Sequence, residues 1–479
     1  MTHEIIEKQA SLSLCENPIP IDYSEVPEFT KEDYLSRIDA LWALEQARQY
    51  SAIIVYGDRE HFSNIHYLTG YDPRFEDSLL ILKRGETPKI LVGNEGMGYV
   101  RCVPYEIEII MYQSFGLMGQ PNDKRSKLLV DIFKDCRFQK DTRIGIVGWK
   151  TYDDSLFTTR NSITDIHNYI IETLSQVVGR NNLYNATDLF ADNDYGLKHH
   201  LSAKEIVHFE LNGTKISRKV YNTLKNLKEG MTEIEASQYL MIDGEPESNH
   251  PNVNFGDFNV SLGLRSPTYH QRLKLGDPAG VGFGMRGSLV HKSGMYIRSK
   301  EDLPDDRKNA IEDVVKPYFA CVAAWYESMK IGTECGKIYD LVGEMLGYEK
   351  YHIGLNPGHL IHTDEWTNSP FVEGGKTKIR SGMGLQCDFT VSFTDPFITC
   401  HIEDGLVIAD EPLQEEIRAI SPSCYARITA RQKYMREVLN INLPDEVLPM
   451  SDLPGVCFPY LADLSVVLAK KYMQKTEKQ

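Results

Sequence analysis

The chain has 479 residues, of which 42% are apolar, and this length and composition suit a globular protein of two domains. Its 52 basic and 68 acidic residues give a formal charge of −16, which excludes a general affinity for nucleic acid or anionic membranes. The amino-terminal residues lack the pattern of a secretory signal, and no apolar run approaches membrane-spanning length. We therefore expect a cytoplasmic protein that has no nucleic-acid or membrane partner.

The first third of the chain alternates between helical and strand-like segments. Residues 34–50 have the periodicity of an amphipathic helix, and the apolar runs at 51–56, 77–82 and 89–92 are typical of buried strands. Such alternation predicts an α/β domain, which we place at residues 1–197.

A long helix is predicted to open the second domain. Ser202 and Glu205 have the spacing of a capping box, and apolar residues recur at helical intervals over the following turns. Strand-like sequence with Gly-rich turns follows at 253–299 and, after a helical block, again at 351–408. These elements predict an α+β domain over residues 198–412.

The last segment, residues 413–479, differs from the preceding domain. Residues 422–440 have the pattern of a helix rich in Arg and Lys, and a proline-punctuated run at 443–454 cannot form a helix. We expect this carboxyl-terminal extension to pack on the core of the second domain.

The second strand-rich block contains two histidines followed by two acidic residues. His359 and His362 come first, and Asp388 and Glu403 follow. Strands that pair with one another can bring such side chains into one pocket, where imidazole and carboxylate groups catalyse hydrolysis by proton transfer. The pattern therefore favours an enzyme that cleaves carbon–nitrogen bonds.

Several short motifs resemble those of the creatinase, prolidase and aminopeptidase P family, in the family's order. They are residues 64–71 ahead of an apolar run, residues 228–233, the pairs Gly358-His359 and Gly382-Met383, and residues 402–404. The resemblance implies a pita-bread catalytic domain preceded by a creatinase-type α/β domain, in a homodimer. It also implies hydrolysis of a small amidino, amide or dipeptide-like substrate.

The metallopeptidases of this family bind two metal ions with two aspartates, one histidine and two glutamates. His359 matches the ligand histidine, Glu403 matches the last glutamate, and Asp388 stands where the first glutamate is expected. Residues 281–284 and 294–298 stand where the aspartates are expected, and neither segment offers a carboxylate. The resemblance therefore does not imply the dinuclear metal centre of the family. A site for a single divalent metal ion is one of the three hypotheses considered next.

Three hypotheses about activity remain open. In the first, the protein resembles creatinase and works without metal, with His270 and His359 moving protons. Asp388 and Glu403 would then activate water. In the second, a single divalent metal is bound by His359 and His362 with one carboxylate from Asp364, Glu365 or Glu403, although residues three apart on a regular strand point to opposite faces. In the third, the domain is inactive and binds peptide or protein.

Three further residues are assigned to substrate binding. Arg74 follows the amino-terminal motif and is suited to hold a substrate carboxylate bidentately. Trp366 would form an aromatic wall of the pocket, and His362 is assigned to the same pocket. His291 and His401 are expected to be supporting or surface groups. Because charged residues on core strands are costly to bury without purpose, we favour a hydrolase of a small molecule or short peptide over the inactive module.

Overall fold

A computed structural model describes the chain over residues 4–119, 126–152, 157 and 162–471. Its contacts separate two compact units, a smaller one formed by Glu28–His199 and a larger one formed by Met1–Pro27 together with His200–Gln479. Within the described ranges, no helix combines the length and the apolar character that crossing a bilayer requires.

The start of the chain belongs to the larger unit, whereas the sequence-based boundary placed it in the first domain. Strand β1 (Ile5–Gln9) pairs antiparallel with residues 466–470 in the last strand, and helix α1 (Ser13–Glu16) follows it. The periodicity of a sequence reports local structure only, so it does not show that a strand has its partner at the opposite end of the chain.

The smaller unit is an α/β domain built on a six-stranded sheet. In the order β5-β4-β3-β2-β6-β7, its strands are β2 (Ala52–Gly57), β3 (Ser78–Lys83), β4 (Lys89–Val92), β5 (Glu108–Met111), β6 (Ile144–Val147) and β7 (Leu183–Asn185). Every residue of β2 is buried, because Ile53 and Val55 pack in one core while Ala52 and Ile54 pack in another on the opposite face. The observed ranges of β2, β3 and β4 lie within one residue of the predicted strands at 51–56, 77–82 and 89–92.

The described helices of this unit are α2 (Lys31–Ala43), α3 (Ser63–Thr69), α4 (Gly96–Tyr99), α5 (Leu129–Asp135), α6 (Asn168–Val178) and α7 (Asp188–Ala191). Helix α2 begins before the predicted residue 34 because Thr30 and Asp33 form a capping box at its start. It ends at Ala43, since Leu44 adopts an extended ψ of 135°. A separate 3-10 turn at Gln46–Gln49 covers the rest of the predicted helix.

The larger unit contains an antiparallel sheet of eight described strands. They are β8 (Glu247–Phe255), β9 (Pro278–Met285), β10 (Ser288–Met295), β11 (His359–Leu360), β12 (Gly384–Cys387), β13 (Thr390–Thr394), β14 (Phe397–Ile408) and β15 (Val447–Pro449). The central path runs β11-β12-β14-β10-β9-β8, while β13 and β15 also pair with β14. Strand β16 (Val466–Lys470) pairs with β1 in a separate two-stranded sheet. Because β10 pairs with β14, the two strand-rich blocks of the sequence form one sheet.

The described helices of the larger unit after α1 are α8 (Ala203–Asn226), α9 (Glu233–Ser237), α10 (Gly256–Ser261), α11 (Lys316–Ser328), α12 (Cys335–Met345), α13 (Glu411–Ile420) and α14 (Pro422–Glu437). Helix α8 begins at the predicted capping box of Ser202 and Glu205. Farther along α8, the buried Glu210 pairs with Arg427 and Arg431 of α14. These ion pairs fix the carboxyl-terminal helix against α8.

Candidate active site

Six side chains of the larger unit converge on one position, and we call them the histidine–carboxylate cluster: His291, His359, Glu365, Asp388, His401 and Glu403. His401 and Glu403 stand two residues apart on β14, so their side chains leave the same face of the sheet. His291 on β10 pairs in register with Glu403. Asp388 directly follows β12, and His359 begins β11, the neighbour of β12.

Asp388 stands between two imidazoles. Nε2 of His401 lies 2.8 Å from Oδ1 of Asp388, while Nε2 of His359 lies 3.6 Å from Oδ2. An ionised carboxylate only accepts hydrogen bonds, so His401 donates from Nε2. Its Nδ1 lies 3.0 Å from Nδ1 of His291, and burial lowers the pKa of His291 to about 3, so that ring is neutral at pH 7. One of the two Nδ1 atoms therefore donates a hydrogen in this contact and the other accepts it.

His359 presents one ring nitrogen to two carboxylates. Its Nδ1 lies 3.0 Å from the carbonyl oxygen of Leu360 and donates to it, so the neutral ring carries its lone pair on Nε2. Nε2 lies 3.6 Å from Asp388 and 3.7 Å from Oε1 of Glu365. Among the described residues, neither Nε2 of His359 nor either carboxylate oxygen of Glu365 has a hydrogen-bond partner. A buried lone pair that faces two carboxylates requires a cation or a proton between them.

Burial and mutual charge set the protonation of these carboxyl groups. Burial raises the pKa of Glu365 to about 7. Burial and the charges of Asp388 and Glu365 raise the pKa of Glu403 well above its usual range. Burial alone would also raise the pKa of Asp388, but the imidazoles of His359 and His401 outweigh it and hold that pKa well below its usual range. The cluster therefore stabilises positive charge beside Asp388.

The donor set of the cluster fits a single divalent metal ion. Ligand atoms of His359, Asp388 and Glu403 all lie within 4.8 Å of one another, and all three residues are buried. One imidazole and two carboxylates are common ligands of divalent first-row metals. A cation at this position would also supply the partner that Nε2 of His359 lacks among the described residues.

Glycine and His291 fill the region where the resemblance placed the first ligand aspartate. On β9, a Cβ at Gly282 would lie 2.6 Å from Cδ2 of His291, and a Cβ at Gly280 would lie 3.1 Å from its Nε2. The ring of His291 thus occupies space that a larger side chain on β9 would need. In the second expected segment, Met295 and Ile297 are buried in the apolar core. Neither described segment supplies a carboxylate for a second metal ion.

The cluster opens into a cavity of about 600 Å³. Its polar lining includes Glu365, Asp388, His401 and Glu403, and its apolar lining includes Val260, Leu264, Leu289, Leu355 and Trp366. This volume and mixed lining suit a small molecule or a short peptide. The structure thus places Trp366 on the wall of the cavity.

Three other predicted residues have different surroundings. Strand β11 has only two residues, and the chain then turns, so His362 lies buried with Nε2 3.3 Å from Oε1 of Glu205. His270 is exposed in a turn and is not among the described residues that line the cavity. Arg74 belongs to the smaller unit, where its Nε lies 3.1 Å from Oδ2 of Asp72. The structure therefore brings His359, Asp388 and Glu403 together without His270 or His362.

Sequence reasoning did not include Glu365, His291 or His401 in the catalytic set. The spacing of two between His401 and Glu403 is a signal that both face the same way on one strand. Glu365 offers no such signal, because it lies between β11 and β12 in a segment without regular structure.

Solved structures similar to this chain share its fold at low sequence identity. The prolidase from Pyrococcus horikoshii OT3 superposes with a TM-score of 0.59 at 15% identity, covering 78% of this chain and 95% of that chain. The Xaa-Pro dipeptidase from Bacillus anthracis gives 0.59 at 13% identity, covering 79% and 96%. The X-Pro aminopeptidase from Thermotoga maritima MSB8 gives 0.57 at 13% identity, covering 78% and 95%. No protein-family model and no curated protein sequence matches this chain. The chain thus has the predicted pita-bread fold, preceded by an α/β domain.

Proposed function

We propose that this protein is a metal-dependent hydrolase of a carbon–nitrogen bond in a small amide or peptide substrate. The observation that carries the proposal is the buried set of His359, Asp388 and Glu403, whose ligand atoms lie within 4.8 Å of one another. The likeness in fold to a prolidase and an Xaa-Pro dipeptidase supports the choice of bond. The cavity beside the cluster has the size of a short peptide.

Each residue of the cluster has a chemical role in this proposal. When bound by His359, Asp388 and Glu403, a divalent metal supplies Lewis-acid polarisation of the scissile carbonyl and lowers the pKa of water. Glu365 lines the same cavity, and neither of its buried oxygens has a hydrogen-bond partner among the described residues. It is placed to accept a proton from the attacking water and to return it to the leaving nitrogen. His401 positions Asp388 through the hydrogen bond of 2.8 Å.

The inactive-module hypothesis explains the cluster less well. Glu365, Asp388 and Glu403 are each at most 8% exposed. Burying several ionisable groups costs stability, and binding a peptide does not require it. Such arrangements are typical of sites whose chemistry depends on them.

The test is hydrolysis of short peptides and amides by chelator-treated protein before and after Mn²⁺ or Zn²⁺ is added. We expect turnover only with metal in the wild type and none in His359→Ala. The matched control is His167→Gln, which changes a half-exposed histidine of the smaller unit and should behave as wild type. Full activity without metal would instead support proton transfer by the side chains alone. Absence of turnover under every condition would support the inactive module.

A further inference from the structure

Three asparagines on β8, Asn249, Asn252 and Asn254, line the cavity away from the cluster, and the last two carry the inference. Asn252 and Asn254 are each 4% exposed and both contribute to the cavity wall. Among the described residues, Oδ1 of Asn252 and Nδ2 of Asn254 have no hydrogen-bond partner. We call this pair the asparagine face. Buried amide groups of this kind are costly unless a ligand completes their hydrogen bonds.

The register of the sheet aligns the asparagine face with the cluster. In one row across the strands, Asn252 pairs with Gly282, Gly282 with His291, and His291 with Glu403. In the neighbouring row, Asn254 pairs with Gly280, Gly280 with Ser293, and Ser293 with His401. Paired residues of antiparallel strands project from the same face. The asparagines and the cluster therefore share one surface of the sheet.

The two ends of this surface lie about one short peptide apart. Three strand spacings separate β8 from β14, which amounts to roughly 14 Å at the usual spacing of about 4.8 Å. An extended peptide advances about 3.3 to 3.6 Å per residue, so about four residues span the distance. Between the two ends, the ring of His291 lies against Gly280 and Gly282 of β9, so a bound chain would pass over that ring.

The charge of the cavity argues against a free carboxylate at the far end of the substrate. Its described lining includes Glu365, Asp388 and Glu403 but no lysine or arginine. A substrate carboxylate at the asparagine face would therefore meet no lysine or arginine among the described lining residues. A peptide unit is neutral and offers both a carbonyl acceptor and an N–H donor, which match one donor and one acceptor of the asparagine face.

We propose that Asn252 and Asn254 bind a neutral amide of the substrate about four residues beyond the cleaved bond, so that the site prefers a peptide or peptide amide with an amide group there over a peptide that ends there in a carboxylate. This inference rests on the proposed hydrolase function and names its substrate class. The asparagines contact substrate far from the reacting atoms, so they determine specificity and leave metal binding unchanged.

The experiment measures equilibrium binding of pentaalaninamide, hexaalanine and pentaalanine by calorimetry, because the amide under test lies about four residues beyond the first peptide bond in the first two probes. Metal-loaded protein with the Glu365→Gln substitution is used so that the probes are not consumed. We expect pentaalaninamide and hexaalanine to bind about 10-fold more tightly than pentaalanine, the acid, whose carboxylate would lie at the asparagine face. Asn252→Ala and Asn254→Ala should each weaken binding of the amide by about 3- to 10-fold, as loss of one net hydrogen bond predicts, and change binding of the acid less than about twofold.

The control variant is Asn226→Ala, which removes an asparagine of α8 that donates to the carbonyl of Asn222 outside the cavity. It should bind all three probes as the parent does. If an alanine variant does not fold, Asn254→Asp preserves the shape and should weaken binding of the acid further. Equal affinity for amide and acid, an unchanged ratio in the asparagine variants, or no binding of any probe would overturn the inference. If the Asn252 and Asn254 variants keep the Mn²⁺ affinity of the parent, such an outcome contradicts the substrate inference and leaves the proposed metal site intact.

Discussion

Nε2 of His401 donates a hydrogen bond of 2.8 Å to Oδ1 of Asp388, a carboxylate that the proposed function assigns to the metal. Without that donor, Asp388 would lose the contact that fixes its orientation. Partners of this kind change metal affinity by about 10- to 100-fold when they are removed. We therefore expect His401→Phe to weaken Mn²⁺ binding by that factor, measured by calorimetry on chelator-treated protein. His167→Gln serves as the control, and equal affinity in His401→Phe and wild type would contradict the assigned role.

Glu365 is the candidate for proton transfer because it lines the cavity next to His359. Glu365→Gln keeps the size of the side chain but removes its capacity to take a proton. We expect turnover to fall by about 10²- to 10⁴-fold while metal stoichiometry stays the same. The neighbouring Asp364→Asn is a matched control, since Asp364 is not among the described lining residues of the cavity. Loss of metal from Glu365→Gln would show instead that Glu365 is a ligand.

Much of the fold can be predicted from local pattern, because strands such as β4 and the capping box of Ser202 and Glu205 depend on neighbouring residues. The cluster is predicted only in part. Asp388 and Glu403 follow the order of family motifs, whereas Glu365 reaches the site through an irregular segment that leaves no periodic signal. His362 lies apart from the site beside Glu205, and its spacing of three from His359 is the sequence signal for that separation.

Lys292 and Asp404 form a buried ion pair of 2.5 Å between β10 and β14, next in sequence to His291 and Glu403. Lys292→Met would leave the buried carboxylate of Asp404 without its cation. We expect the free energy of unfolding in urea to fall by about 3 to 5 kcal/mol. Lys433→Met, which breaks an exposed pair on α14, should leave that free energy almost unchanged. Similar losses in the two variants would show that the buried pair is not important for stability.

The ion pair between Asp58 and His61 predicts a pH dependence of the smaller unit. The side chains lie 3.0 Å apart, and the hydrogen bond to Asp58 raises the pKa of His61 above its usual 6.5. The protonated ring therefore stabilises the folded unit below pH 6.5, and this contribution is lost as the pH rises through the folded pKa. We expect Asp58→Asn to lower the pKa of His61, followed by NMR titration, and to reduce stability more at pH 6 than at pH 9. An unchanged titration of His61 would contradict this prediction.

The central claim is that one divalent metal ion is held by His359, Asp388 and Glu403. Elemental analysis of protein reloaded with Mn²⁺ and freed of excess metal tests it most directly. The account predicts about one equivalent of metal per chain in the wild type. It predicts almost none in His359→Ala or in the double variant that combines Asp388→Asn with Glu403→Gln. Circular dichroism checks that each variant is folded. Two equivalents in the wild type, or one equivalent that persists in His359→Ala, would contradict the claim.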